Sequence, residues 1–142
     1  MLVFLHLAPT GYSPLRDPVS AYSVGRFAWG YRAQVLLAAA AAAVLAAELP
    51  RREAILLSVF AAARVAIAFA PIGTKAHVPL AAVAFVAVCA AELWRGGERP
   101  LGDAALAGLV LTGARAPLLG VWERIFYAAT IAWFFVEAGR LH

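Results

Sequence analysis

Three ionisable residues interrupt otherwise apolar stretches of this sequence: Arg64, Glu123 and Arg124. If these apolar stretches cross a membrane as helices, each ionised side chain costs about 2.5–3.5 kcal/mol at the centre of a helix. Each of the three residues then needs a compensating interaction or a function. Two cations and one anion at matched depth predict an interhelical ion pair of Glu123 with Arg64 or with Arg124. Such a pair is either a structural clasp that lowers the cost of insertion or part of a site for an anionic group. Arginine suits the second role because its guanidinium binds phosphate bidentately and stays charged when buried.

A second polar group lies in residues 9–28, which are rich in proline, glycine and hydroxyl side chains. A non-helical segment beside lipid is stable only if its backbone groups are hydrogen-bonded by protein or water. We therefore expect this segment to form an ordered, non-helical cap that covers the outer end of a helix bundle, with a local ion pair between Arg16 and Asp17. In the alternative interpretation, cap residues line a polar pocket: Arg16, Asp17, Ser20, Tyr22 and Arg26.

His77 starts a predicted helix, where histidine is more often a capping or interface residue than a ligand or a general base. A triad of Ser20, His77 and Asp17 can be written, but no nucleophile-elbow sequence accompanies it. Haem ligation by His6 and His77 lacks a matching helical context, and a metal set of both histidines with Asp17 is no stronger. We therefore expect no cofactor and no metal, and we assign no catalytic residue.

The composition places these residues in a membrane protein. The chain has 142 residues, 64% of them hydrophobic and 14% charged, with a mean hydropathy of +0.82. Ordinary soluble domains are about 45–50% apolar and about 25% charged, so a soluble fold would expose large apolar patches. Disorder is excluded by the same figures. The net charge of +4 comes from scattered arginines without a basic face, so nucleic acid is not expected as a partner.

A bilayer core of about 30 Å requires about 20 apolar residues per helix. Windows of that kind predict helices at about 29–49, 54–71, 77–95, 102–115 and 118–138, the fourth being short. Ala104 and Gly108 have a small-xxx-small spacing that allows close helix approach. Residues 1–8 are too short to span and are either the end of a further helix or, by a narrow preference, a wedge in the interface. The expected fold is a single all-α membrane-embedded domain over residues 1–142, a bundle of about five transmembrane helices with the cap at residues 1–28.

The charges of the connecting loops predict the orientation. One side carries four loop arginines against two loop cations on the other: Arg51, Arg52, Arg95 and Arg99 against Lys75 and Arg115. The positive-inside rule then makes the first side cytoplasmic and the cap extracytoplasmic, in a multi-pass protein of the bacterial inner membrane. Aromatic residues at the helix ends are expected to form interfacial belts: Trp29, Tyr31 and Trp122 outside, Trp94 inside.

Several of these polar motifs together resemble a known family. They are Thr10-Gly11-Tyr12-Ser13-Pro14-Leu15-Arg16-Asp17-Pro18-Val19-Ser20-Ala21-Tyr22 with Gly25-Arg26, then Ala63-Arg64, Phe69-Ala70-Pro71, His77 with Phe85, and Gly120-Val121-Trp122-Glu123-Arg124-Ile125-Phe126. The sequence resembles, over nearly its whole length, the prokaryotic membrane proteins catalogued as domain of unknown function number 998. The resemblance implies a multi-helix integral membrane protein that shares these polar motifs, and it implies no particular reaction. The sequence departs from the family's pattern ahead of Thr10, where members have a full helix, and after Pro71, where an acidic residue is expected.

The leading hypothesis is a small helical membrane protein whose outer polar cluster binds an anionic lipid headgroup or a partner protein without chemistry of its own. The candidate ligand-binding residues are Arg16, Asp17, Ser20, Tyr22, Arg26, Arg64, His77, Glu123 and Arg124. One alternative is a membrane enzyme acting on a lipid-linked or phosphate-bearing substrate, with Asp17, His77 or Glu123 as acid or base. Another is a structural accessory subunit that packs on a partner membrane protein, or on a second copy, through its Ala/Gly faces.

Overall fold

The structure, a computed structural model, describes residues 2–95, 99–113 and 118–141. Within these ranges the regular secondary structure is entirely helical, and no strand is present. The α-helices are α1 (Leu2–Leu7), α2 (Ala28–Glu48), α3 (Arg51–Phe69), α4 (His77–Arg95), α5 (Arg99–Gly113) and α6 (Leu119–Arg140), with a 3-10 helix at Val19–Ser23.

Three helices, α2, α4 and α6, are long and apolar enough to cross a membrane. This finding supports the expectation of a multi-pass membrane protein. The α3 helix has 19 residues but carries Arg51, Arg52, Glu53 and Arg64. Pro100–Thr112 in α5 is a shorter apolar helix.

The helix limits agree with the apolar windows except at polar helix starts. The α4 helix has the expected bounds, whereas α3 begins earlier, at Arg51, with Pro50 as its N-cap. A window of apolar residues misses this turn because charged residues can form a helix beyond the hydrocarbon. The α5 helix likewise begins at Arg99, since a proline is tolerated in a first turn. The expected polar turn at 96–98, the helix end at Arg115 and the entry through Pro117 lie outside the described residues.

The prediction of a non-helical segment over residues 9–28 is wrong in part, because a 3-10 helix at Val19–Ser23 lies within it; ahead of it, residues 2–7 form the short helix α1. The α1 helix buries Leu5 in the core and exposes Val3 and Leu7. Its Phe4 ring contacts Phe27 and Trp29, with ring centres 6.1 and 5.5 Å apart, so α1 packs against the start of α2. Burial of one apolar face stabilises a helix too short to form alone.

The helices pack mainly with their neighbours in the chain, α2 with α3, α3 with α4, and α5 with α6, while α2 and α6 touch sparsely. At Gly108 an added Cβ would lie 2.8 Å from the Trp122 carbonyl oxygen and 2.9 Å from the Phe126 nitrogen. Gly108, one member of the small-residue spacing with Ala104, therefore lies at a close approach of α5 to α6, a partner that the spacing did not specify. We call the end of the bundle where residues 8–27 lie, and where α2, α4 and α6 begin, the cap end.

Candidate functional site

Arg124, in the second turn of α6, fastens α1 and the cap to the bundle. Its Nε donates to His6 Nε2 at 2.6 Å, and one terminal nitrogen donates to the Asp17 and Gly120 carbonyl oxygens at 3.1 and 2.7 Å. The other terminal nitrogen lies 3.4 Å from the Tyr22 hydroxyl. Each nitrogen of the planar guanidinium thus faces a protein acceptor, which is a role that a lysine could not fill.

The same contact sets the protonation of His6. Burial, and then the positive charge of Arg124, lower the pKa of His6 from its ordinary value of 6.5. The Nε2 atom must be unprotonated to accept the hydrogen bond from Arg124, so the folded state favours the neutral ring.

Glu123 holds the cap from the adjacent position of α6. Its carboxylate accepts the backbone N–H of Val19 at 2.6 Å, and the residue is buried. Arg64 and Arg124 act on it electrostatically, but no salt bridge joins it to either arginine in the part of the chain that the structure describes. The predicted ion pair is therefore not formed, because the carboxylate binds the cap backbone and both arginines are bound elsewhere.

Gly120 allows the cap to approach α6 this closely. A Cβ there would lie 2.6 Å from the carbonyl oxygens of both Pro14 and Asp17, distances that real side chains do not adopt. The cap backbone therefore rests directly on the first turn of α6. The glycine is part of the quoted Gly120–Phe126 motif, although the sequence alone gave it no role.

Arg64 lies within the bundle and binds neutral oxygen atoms. It is 1% exposed, and its terminal nitrogens donate to the Tyr127 hydroxyl at 2.8 Å and the Gln34 side-chain oxygen at 3.2 Å. Its charge also lies 5.2 Å from the centre of the Tyr127 ring. Sequence analysis did not identify Gln34 or Tyr127, although a single amide within the alanine-rich α2 was a usable signal.

The other cap candidates divide into bound and exposed residues. Asp17 accepts the Ser13 backbone N–H at 2.6 Å, so the expected pair with Arg16 is not seen among the described contacts. Arg16 and Arg26 are exposed, Ser20 is half-buried and Tyr22 is buried.

A niche of about 110 Å³ lies in the cap and is lined by Thr10, Tyr12, Tyr22 and Arg26, among others. The Arg26 guanidinium lies 5.7 Å from the centre of the Phe27 ring, which also lines the niche. The Thr10 hydroxyl oxygen accepts the Tyr12 backbone N–H at 3.3 Å, so its own proton stays available. Arg26, Thr10 and Tyr12 are donors suited to an anion.

His77 is buried, and its Nδ1 lies 2.6 Å from the Ala70 carbonyl oxygen. Nearby, the Ser23 hydroxyl accepts the Ile72 backbone N–H at 2.8 Å and ties the cap to the loop between α3 and α4. No described hydrogen bond joins Ser20, His77 and Asp17 into a triad. Among the described residues, no group of three His, Cys, Asp or Glu side chains could hold a metal ion.

Two further features differ from the sequence interpretation. Tyr31, expected in the outer belt, is 2% exposed and points into the core, while Trp29 and Trp94 are exposed. At the end opposite the cap, the fully buried Glu137 carboxylate binds Arg95 at 3.0 Å and Arg140 at 2.7 Å. Glu137 was not selected because it lies near the end of a predicted span, where charge is ordinary.

Comparison with known proteins gives no relative: no protein-family model, no curated protein and no solved structure matches this chain. The functional argument therefore rests on the site geometry.

Proposed function

We propose that this chain is a small polytopic membrane protein that binds an anionic lipid headgroup at the cap end. The observation that carries the proposal is the niche of about 110 Å³ in the cap, which brings the exposed Arg26 together with the hydroxyls of Thr10 and Tyr12. These groups donate hydrogen bonds, so the niche suits a phosphate oxygen. A cation at a membrane surface adds about 1 kcal/mol of attraction to anionic lipid.

The contacts beneath the niche give Arg124 and Glu123 a supporting role in this proposal. Arg124 contacts Tyr22, which lines the niche, and Glu123 holds Val19 at the start of the 3-10 helix. Both residues therefore position the cap. Arg16 is exposed and extends the positive charge of the cap surface.

The proposal includes five membrane-crossing helices, with α3 and α5 crossing beside the three long apolar ones, and an extracytoplasmic cap. It also includes membership of the family catalogued as domain of unknown function number 998, supported by the quoted motifs alone. Among the alternatives, an enzyme is favoured less because Asp17 and His77 face backbone groups, Ser13 N–H and the Ala70 carbonyl.

The test is native mass spectrometry of detergent-purified protein titrated with phosphatidylglycerol or phosphatidylcholine. We expect preferential retention of phosphatidylglycerol and a roughly fivefold loss in Arg26→Gln, the size expected for one surface cation. The matched control is Arg52→Gln, because Arg52 is also exposed over an aromatic ring, 5.0 Å from the centre of Trp94, but away from the cap. Equal retention of the two lipids, or an unchanged Arg26→Gln variant, overturns the proposal.

A further inference from the structure

A groove of about 710 Å³ runs between α2 and α6, where these helices touch only sparsely. Its walls include Leu37, Ala41 and Val44 of α2, and Ile131 and Phe135 of α6. The volume is in the range of small-molecule sites, about 300–1,000 Å³. Both helices are candidate membrane spans, and the lining residues Leu37, Val44 and Phe135 are exposed, so in a membrane the groove opens toward the hydrocarbon.

Three polar side chains, Gln34, Tyr127 and Thr130, interrupt this apolar lining. Arg64 donates to the amide oxygen of Gln34 and to the hydroxyl oxygen of Tyr127, so it occupies acceptor positions on both. The amide N–H groups of Gln34 and the O–H of Tyr127 remain as donors. These donors favour a hydrogen-bond acceptor in any polar group that enters the groove at this level.

The charge behind these donors selects an anion. Arg64 is 1% exposed, no carboxylate forms a salt bridge with it among the described residues, and its Nε has no hydrogen-bond partner there. The acidic residue that acts on Tyr127 is Glu123, which Arg64 and Arg124 share, while Glu92 of α4 interacts with Thr130, about one turn further along α6. Because guanidinium does not deprotonate in proteins, this region keeps an excess of positive charge inside a low-dielectric bundle.

The length of the groove fits one hydrocarbon chain. From Gln34 to Leu45 it follows α2 for roughly 16 Å, about half of a 30 Å hydrocarbon core. At the Gln34 end of the groove, Val3 of α1 belongs to the lining, beside the start of α2. The polar wall therefore lies near the cap end, and an apolar channel extends from it toward the opposite end.

We infer that this groove binds a long-chain fatty acid. The carboxylate lies at Gln34 and Tyr127, backed by the charge of Arg64, and the chain extends along α2 and α6. This site is separate from the headgroup niche of the cap and does not use Arg26, so either site can fail without the other.

The probe is palmitate that carries a photoactivatable diazirine at its terminal carbon, added to the detergent-purified protein. We expect labelling of the far end of the groove, near Val44 or Ala138, with competition by palmitate but not by palmitate methyl ester. Tyr127→Phe and Gln34→Leu each lower the labelling about tenfold, the effect of losing one hydrogen bond to a charged group. Arg26→Gln leaves it unchanged.

A groove-filling variant makes the test independent of the polar residues. Ala41→Phe blocks the groove and abolishes labelling, whereas Ala40→Phe adds the same ring at an exposed α2 position outside the lining. Each variant is first checked for an unchanged thermal midpoint. Equal competition by the methyl ester, labelling elsewhere on the chain, or an unaffected Ala41→Phe variant overturns the inference.

Discussion

The Glu123 carboxylate accepts the backbone N–H of Val19 at 2.6 Å, across 104 positions of the chain. The next residue, Arg124, donates to the Asp17 carbonyl at 3.1 Å. Adjacent helix positions point about 100° apart, so the two side chains hold the cap from different directions. The cap and α6 are therefore joined by directional bonds in a buried setting, and we expect them to unfold together.

The close contact at Gly120 gives the first prediction. Gly120→Ala lowers the free energy of unfolding by about 1–3 kcal/mol, because the new Cβ must displace cap backbone at Pro14 and Asp17. The measurement is unfolding of the detergent-solubilised protein by added SDS. Gly139→Ala is the matched control, since the same methyl group on the same helix meets nothing within 4 Å. If the two substitutions lower the free energy of unfolding equally, the cap backbone does not contact α6 closely at Gly120.

A second prediction concerns the guanidinium of Arg124. Arg124→Lys keeps the positive charge but loses the hydrogen bonds that the three guanidinium nitrogens donate to His6, Tyr22 and the Asp17 carbonyl. We expect the cap to open more often, so that trypsin cleaves faster after the exposed Arg16 and Arg26, by about tenfold. Mass spectrometry of the early fragments gives the rates. Arg32→Lys, at an exposed position of α2, serves as the control. If trypsin cleaves Arg124→Lys at the wild-type rate, Arg124 does not hold the cap on the bundle.

His6 provides the third prediction, a dependence of stability on pH. Its pKa is lowered in the folded state, first by burial and then by Arg124, so the unfolded chain binds a proton more readily. The contribution of neutral His6 to the stability of the folded protein is therefore fully present above pH 6.5, the pKa of His6 in the unfolded chain. It is lost as the pH falls from 6.5 through the lower pKa of the folded state. Thermal midpoints at about pH 7.5 and about pH 5 measure this loss.

The control for this prediction is His6→Gln. The amide oxygen of glutamine accepts a hydrogen bond from Arg124 at either pH and does not titrate. The variant should therefore lose the part of the pH dependence that begins near 6.5. If the variant and the wild type lose stability in parallel, another group causes the effect.

The sequence predicts most of the helices, because a long apolar run can satisfy its backbone in lipid only as a helix. It also selects Arg64, Glu123 and Arg124 as the residues that bilayer insertion leaves unexplained. The hydrogen-bond partners of these residues are harder to predict from the sequence. Glu123 binds a backbone N–H, a group that every residue but proline carries, so no residue type signals the contact. Arg64 binds an amide and a phenol in place of the expected carboxylate.

The buried carboxylate of Glu137 gives the last prediction. It has no exposed surface and binds both Arg95 and Arg140, so it joins α4 to α6 at the end opposite the cap. Arg95→Met keeps an apolar stem but removes one charged donor. We expect it to lower the free energy of unfolding by about 1–3 kcal/mol, the usual cost of leaving a buried charged group under-satisfied.

A double-mutant cycle separates this pair from general effects of charge. Glu137→Gln removes the negative charge, so adding Arg95→Met to it should cost less than Arg95→Met costs alone. The difference is the coupling between the two side chains, expected at about 0.5–3 kcal/mol for residues in contact. Arg51→Met, an exposed arginine of α3, controls for loss of a cation at a helix end. Additive effects in the cycle would mean that Arg140 alone satisfies Glu137, and that Arg95 contributes no specific link between α4 and α6.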